Sequence, residues 1–140
     1  MRIVLHAVVL ALALCWACIA AAADVRARVL GIEATVEAQI DAFLKDDFAR
    51  AYSFASPGIQ RLFGNHQRFG QMVRNGYPMV WRPADVRFLA LREVGGALWQ
   101  TVLIRDRAGR MHLLDYQMVQ VDGSWRINGV HILREPDTGV

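Results

Sequence analysis

Thiols are confined to the first eighteen residues, where Cys15 and Cys18 are the only two cysteines of the 140-residue chain. Everything after them can form neither a disulfide nor a Cys-ligated metal site. Lysine is almost missing as well: Lys45 stands alone, and the basic charge is carried by arginines placed singly along the chain. Without an arginine cluster or alternating aromatic and basic residues, the footprint of nucleic-acid binding is absent, and that class is set aside. There is no internal repeat, no low-complexity stretch beyond the N-terminal segment, and no specific catalytic motif.

What is present begins with Met1-Arg2, an apolar run from Ile3 to Ile19 interrupted by His6, and four alanines, Ala20 to Ala23, ahead of Asp24. A positive start, an apolar middle and small residues before a polar one form a secretory signal peptide, with Ala21 and Ala23 where a signal peptidase reads. Residues 1–23 are therefore expected to be removed by cleavage after Ala23, which places the mature chain in the periplasm or outside the cell. The alternative is an uncleaved anchor, since the run approaches the ~20 residues that span a bilayer; only in that case is a membrane a partner. A lipid anchor fits less well, because Leu14 precedes Cys15 and Cys15 stands where a lipobox prefers leucine before Cys18. Removing the segment deletes Arg2 and leaves 15 basic against 13 acidic side chains. The computed isoelectric point of 9.3 thus reflects arginine in place of lysine rather than a basic patch. Residues 24–140 suit one domain, large enough to bury a core without staples.

From Val29 to Phe48, the residues Val29, Ile32, Val36, Ile40, Phe43 and Leu44 recur at steps of three and four, predicting a helix with one buried face. Further short helices are expected over 47–54, from Ser56-Pro57 to Gly64, and over 67–74 after an Asn65 cap. Past Arg82-Pro83 the period becomes two. The turn signals Gly95-Gly96, Asp106 to Gly109 and Asp122-Gly123 divide the remainder into four strands, 86–94, 97–105, 110–121 and 124–133. The fold class is α+β: N-terminal helices packed on a curved four-stranded antiparallel meander.

Turn geometry sets register. It predicts Leu91 opposite Gln100, Leu89 opposite Val102, Val102 opposite Leu114, Gln100 opposite Tyr116, and Leu98 opposite Met118. On the last strand it predicts Met118 opposite Ile127, Tyr116 opposite Gly129 and Leu114 opposite His131. One face then carries Leu89, Leu91, Leu98, Val102, Ile104, Leu114, Met118 and Ile127, with Trp125 at its edge, and should bear the helices. The other face mixes Phe88, Trp99, Leu103, Leu113, Val119, Val130 and Ile132 with Arg92, Thr101, Asp115, Gln117, Arg126 and Asn128. Such an apolar outer surface predicts a homodimer through Trp99, Leu103, Leu113 and Val130. The alternative is that the C-terminal tail covers it.

The segments Ala55-Ser56-Pro57-Gly58-Ile59, Phe63-Gly64, Met72-Val73-Arg74, Gly76-Tyr77-Pro78, Arg82-Pro83 and Asp122-Gly123-Ser124-Trp125-Arg126-Ile127 occur in that order. In this the chain resembles the bacterial family called domain of unknown function 4864, within the nuclear-transport-factor-2-like (SnoaL-like) superfamily of cone-shaped folds. The resemblance implies a conical pocket that in the superfamily serves isomerases, dehydratases, cyclases and many non-enzymatic binding domains. It assigns no catalytic residue here.

The predicted register gathers His112, Tyr116 and His131 on the helix-facing side, where they could orient a small ligand. The competing account has Tyr116 covering Gly129 and both histidines at the sheet end in solvent. Tyr77 and Trp81, in a proline-stiffened connector, would form a pocket wall or merely a rigid corner, and Tyr52 has the same double reading. Asp115 lies three residues from His112, but on a strand that spacing points to opposite faces, so no dyad forms. No metal or cofactor is expected. Two functions follow: a non-enzymatic module binding a small apolar ligand or partner, or a small pocket enzyme moving protons with His112 or a helix carboxylate as base and Tyr116 as donor.

Overall fold

The computed structural model describes residues 2–134, with side chains described for residues 13–133. Helix α1 runs from Arg2 to Leu44, α2 from Phe48 to Ser53, α3 from Pro57 to Phe63, α4 from His66 to Gly76 and α5 from Pro78 to Trp81. Strands β1 (Pro83–Val94), β2 (Ala97–Asp106), β3 (Met111–Val121) and β4 (Ser124–Arg134) form one antiparallel sheet in the order β1-β2-β3-β4. The chain divides into two units, residues 1–31 and residues 32–140. In the first, the side chains of Leu14, Trp16, Ile19, Val25 and Leu30 are exposed on a continuous helix. Among the described residues no helix is long and apolar enough to cross a membrane. The second unit is the α+β domain, in which the helices pack against the four-stranded meander.

The helix boundaries follow local chemistry. Asp47, Ser56 and Asn65 cap α2, α3 and α4 with side-chain oxygens that accept from Arg50 N, Ile59 N and Arg68 N, each satisfying an otherwise orphaned donor. Gly64 ends α3 at a φ of 79°, a conformation that costs a residue with a Cβ more than glycine. The unforeseen element is α5, a single turn begun by Pro78 that buries Met79 and Val80. Pro83 is not a break before the sheet but its first residue, paired with Asp106 at the edge of β1, where a missing N–H is tolerated.

Ile32, Val36, Ile40 and Phe43 of α1 meet Val102, Ile104, Leu114, Tyr116, Met118 and Ile127 of the sheet in one buried cluster. Each large apolar side chain so buried stabilises the fold by roughly 1.5–3 kcal/mol relative to exposure. Helices α2 and α4 touch closely: a Cβ at Gly70 would lie 2.7 Å from the Phe48 ring.

All three turns place their nearest pairs as expected, and the register departs at bulges farther from them, one within β1 and one within β4, with further shifts near the strand ends between Pro83 and Asp85 and between Leu113 and Leu114. In β1, Phe88 rather than Leu89 faces Val102, because Leu89 and Ala90 together span the position of one residue between Phe88 and Leu91. Phe88 joins the core, Leu89 turns out to 47% exposure, and the Leu89 carbonyl accepts from Gln100 Nε2 at 3.1 Å. In β4, Met118 faces Ile127 and Gln117 faces Gly129, which leaves Asn128 as the extra residue.

The β4 bulge has a visible cause. Ile127 exchanges backbone hydrogen bonds with the segment before α3, accepting from Ser56 N and donating to Phe54 O, both at 2.8 Å. The Asn128 side chain is held by Ser56 Oγ at 2.7 Å and donates to Gln117 Oε1 at 3.1 Å. Beyond it β4 is shifted by one as far as Ile132, so that Tyr116 faces Val130, Asp115 faces His131 and Leu114 faces Ile132, before a second irregularity sets Leu113 opposite Arg134. Val130 therefore belongs to the helix side, not to the outer face assigned to it, and His131 moves to the outer face, its ring 5.1 Å from that of Trp99.

Candidate functional site

Six residues were expected to share one pocket; they are divided between two cavities and the protein interior. Tyr77 and the His131 segment of β4 line a cavity of about 400 Å³ enclosed by α1, α3, α4 and β4. Trp81 and His112 line a separate cleft of about 460 Å³ beside the β2–β3 turn. Tyr116 and Tyr52 line neither.

The first cavity is apolar. Its walls include Phe43, Phe63, Phe69, Met72 and Val130, and Leu62 stands at its rim with 73% exposure. Apart from His131, whose ring lies on the outer face beside Trp99, the polar side chains of its lining hydrogen-bond to the protein itself. Gln39 Nε2 donates to Ala51 O at 3.1 Å, Asn128 is held between Ser56 and Gln117, and Tyr77 Oη donates to Val130 O at 2.9 Å. No carboxylate lines it. A volume of this size takes a small organic ligand, and the walls reward apolar surface rather than charge.

Tyr52 serves structure. Its ring packs 5.4 Å from Phe69, and its hydroxyl donates to the Gln60 carbonyl, while Gln60 Nε2 returns bonds to Tyr52 O and Ala55 O. Tyr116 is wholly buried and its hydroxyl has no hydrogen-bond partner. Burial pushes its pKa well above the ordinary tyrosine value, with Tyr77 adding to the effect, so it stays a neutral phenol.

The second cleft is polar. His112, only 5% exposed, places Nε2 at 2.8 Å from Asp106 Oδ2. Asp106 also accepts the backbone N–H groups of Ala108 and Arg110 on Oδ1, both at 2.9 Å, and Arg110 Nε on Oδ2 at 3.4 Å. These partners, the His112 hydrogen bond foremost, hold the carboxyl down at a pKa of about 2. The opposite wall is fixed by Asp46, which binds Trp81 Nε1 at 2.9 Å and Arg82 Nη2 at 2.8 Å, while Arg82 stacks 4.3 Å over the Trp81 ring. The connector is thus a rigid corner that also walls a cleft.

Asp106 escaped the sequence reading, although it was reachable: Ile104 faces His112, and a residue two further along β2 lies diagonal to it on the same side. The outer face hid another pair. Arg92 Nη2 meets Asp115 Oδ2 at 2.5 Å, and Thr101 Oγ1 donates to Asp115 Oδ1 at 3.0 Å. Asp115 is thereby 5% exposed on a face open to the outside of the sheet. Among the described residues no three His, Cys, Asp or Glu side chains are grouped to hold a metal ion.

No curated protein and no solved structure matches the chain. The family model described as Domain of unknown function (DUF4864) matches residues 26–140, most of the chain and the whole of its α+β domain, and the protein belongs to that family.

Proposed function

We propose that the domain is a non-enzymatic, exported module that carries or senses a small apolar ligand in the 400 Å³ cavity between α1, α3, α4 and β4. One observation carries this reading: the cavity is walled by aliphatic and aromatic side chains, and the hydrogen-bonding capacity of Gln39, Tyr77 and Asn128 is directed into the protein. Binding there draws on desolvation of apolar surface, and no acid–base pair stands ready to do chemistry. Helices followed by a meander with a cavity between them also support kinship with the nuclear-transport-factor-2-like superfamily.

The test is a native-state mass spectrum of the protein purified from the periplasm, together with a titration with N-phenyl-1-naphthylamine. Retained ligand mass and saturable fluorescence are expected, as is a chain beginning at Asp24. Met72→Trp, which fills a half-buried position of the wall, should abolish the fluorescence while leaving the unfolding temperature within a few degrees. Equal fluorescence from parent and variant would sink the reading.

The proton-transfer alternative draws on the His112–Asp106 hydrogen bond. Its intended donor, Tyr116, lines neither cavity, so base and donor do not face a common ligand.

The outer face supports association with a second copy. Leu103 and Leu113 are directly opposite each other there, and Trp99 and then Val119 follow on the same face beyond the Thr101–Asp115 pair. Arg92 and Asp115 neutralise one another, so covering the face strands no unpaired charge at that pair.

A further inference from the structure

Charge is unevenly distributed around the second cleft. Arg82, Arg107 and Arg110 line it against a single carboxylate, Asp106. Arg82 has Asp46 as partner and Arg110 has Asp106, whereas Arg107 makes no ion pair among the described residues and is exposed. Asp106 is already committed to two backbone donors, Arg110 and His112, which hold its carboxyl well below the usual carboxylate range and anionic near neutral pH. It has little capacity left to accept from Arg107. The imidazole of His112 lines the same cleft, more than nine-tenths buried, with Nε2 held by Asp106 and Nδ1 without a hydrogen-bond partner. A concave site with excess guanidinium donors, one of them free, matches a planar or tetrahedral oxyanion, which a guanidinium receives through two parallel hydrogen bonds.

We infer that this cleft is a second binding site, separate from the apolar cavity, that takes the carboxylate or phosphate group of a small polar ligand between Arg107, Arg110 and Arg82 beside His112. The rigidity of one wall favours such a role: Arg82 is fixed by Asp46 and by the Phe43 carbonyl at 2.7 Å, so this cation loses little freedom on binding.

The experiment is isothermal titration of the full chain with sodium phosphate and with disodium succinate, each against sodium chloride at constant ionic strength. One-to-one saturable binding with a Kd on the order of 1 mM or tighter is expected. Arg107→Ala, a change on an exposed turn that leaves the core intact, should weaken it about tenfold, and Arg107→Lys should restore part of the loss. The His112 ring proton resonances should shift with the same midpoint. Flotation with phosphatidylglycerol and phosphatidylcholine vesicles separates the sources of the oxyanion. Binding to phosphatidylglycerol alone, lost in Arg107→Ala, assigns the group to a lipid headgroup, and a response to free phosphate or succinate assigns it to a soluble ligand. If the free anions give only the chloride response and no vesicle binding depends on Arg107, or if Arg107→Ala binds as the parent does, the inference is overturned.

Discussion

Removing a hydroxyl from the protein core normally costs stability, and at Tyr116 it should not. The side chain is completely buried between the sheet and α1, and its hydroxyl has no hydrogen-bond partner. A buried hydroxyl in that condition carries an uncompensated desolvation cost of about 1–3 kcal/mol. Tyr116→Phe keeps the ring and its packing and deletes only that cost, so the variant should be as stable as the parent or more stable by up to about 2 kcal/mol. Tyr77→Phe supplies the contrast. Its hydroxyl donates to the Val130 carbonyl at 2.9 Å, and deleting it should cost about 0.5–1.5 kcal/mol. Urea unfolding followed by tryptophan fluorescence, with the slope checked to be the same in all three proteins, reads both differences. The opposite sign for the two tyrosines is the test. If Tyr116→Phe loses more than about 0.5 kcal/mol at unchanged slope, its hydroxyl has a partner and the reasoning fails.

Gly70→Ala puts a methyl group 2.7 Å from the Phe48 ring; it should destabilise by about 1–3 kcal/mol despite the better helix propensity of alanine, as urea midpoints will show. Leu103→Glu introduces a charge on the outer face opposite Leu113, and should convert a dimer to a monomer by light scattering after size exclusion; a monomeric parent would refute the association. Asp106→Asn removes a carboxylate whose folded pKa, about 2, lies below the ordinary value near 3.9. The stabilisation from this group is complete above the unfolded pKa and lost as pH falls through the folded one. The variant should therefore melt below the parent at pH 6, with the gap closing between about pH 4 and pH 2; a gap independent of pH would show that the charge is not what matters.

The fold was legible because its signals are local. Asp47, Ser56 and Asn65 cap the helices they precede, and Gly95-Gly96, Gly109 and Asp122-Gly123 close the turns between strands. The candidate site was less so, because it depends on how far a register persists. A turn fixes the pairs next to it, and one extra residue reverses the facing of everything beyond. That residue is Asn128, and what keeps it in the bulge is Ser56, 72 positions away in sequence. No pattern within β4 announces this contact. Its consequence is chemical: without the bulge, His131 joins Tyr116 beneath the helices, and with it His131 stands on the outer face beside Asp115 and Trp99. The same displacement carries Val130 inward, where its side of β4 walls the apolar cavity and its carbonyl receives Tyr77. Ser56 thus does two things at once, starting α3 at the cavity rim and fixing which β4 side chains reach the cavity. The identity of the pocket is set by a hydrogen bond between a helix cap and a strand bulge, and residue types read one strand at a time do not contain it.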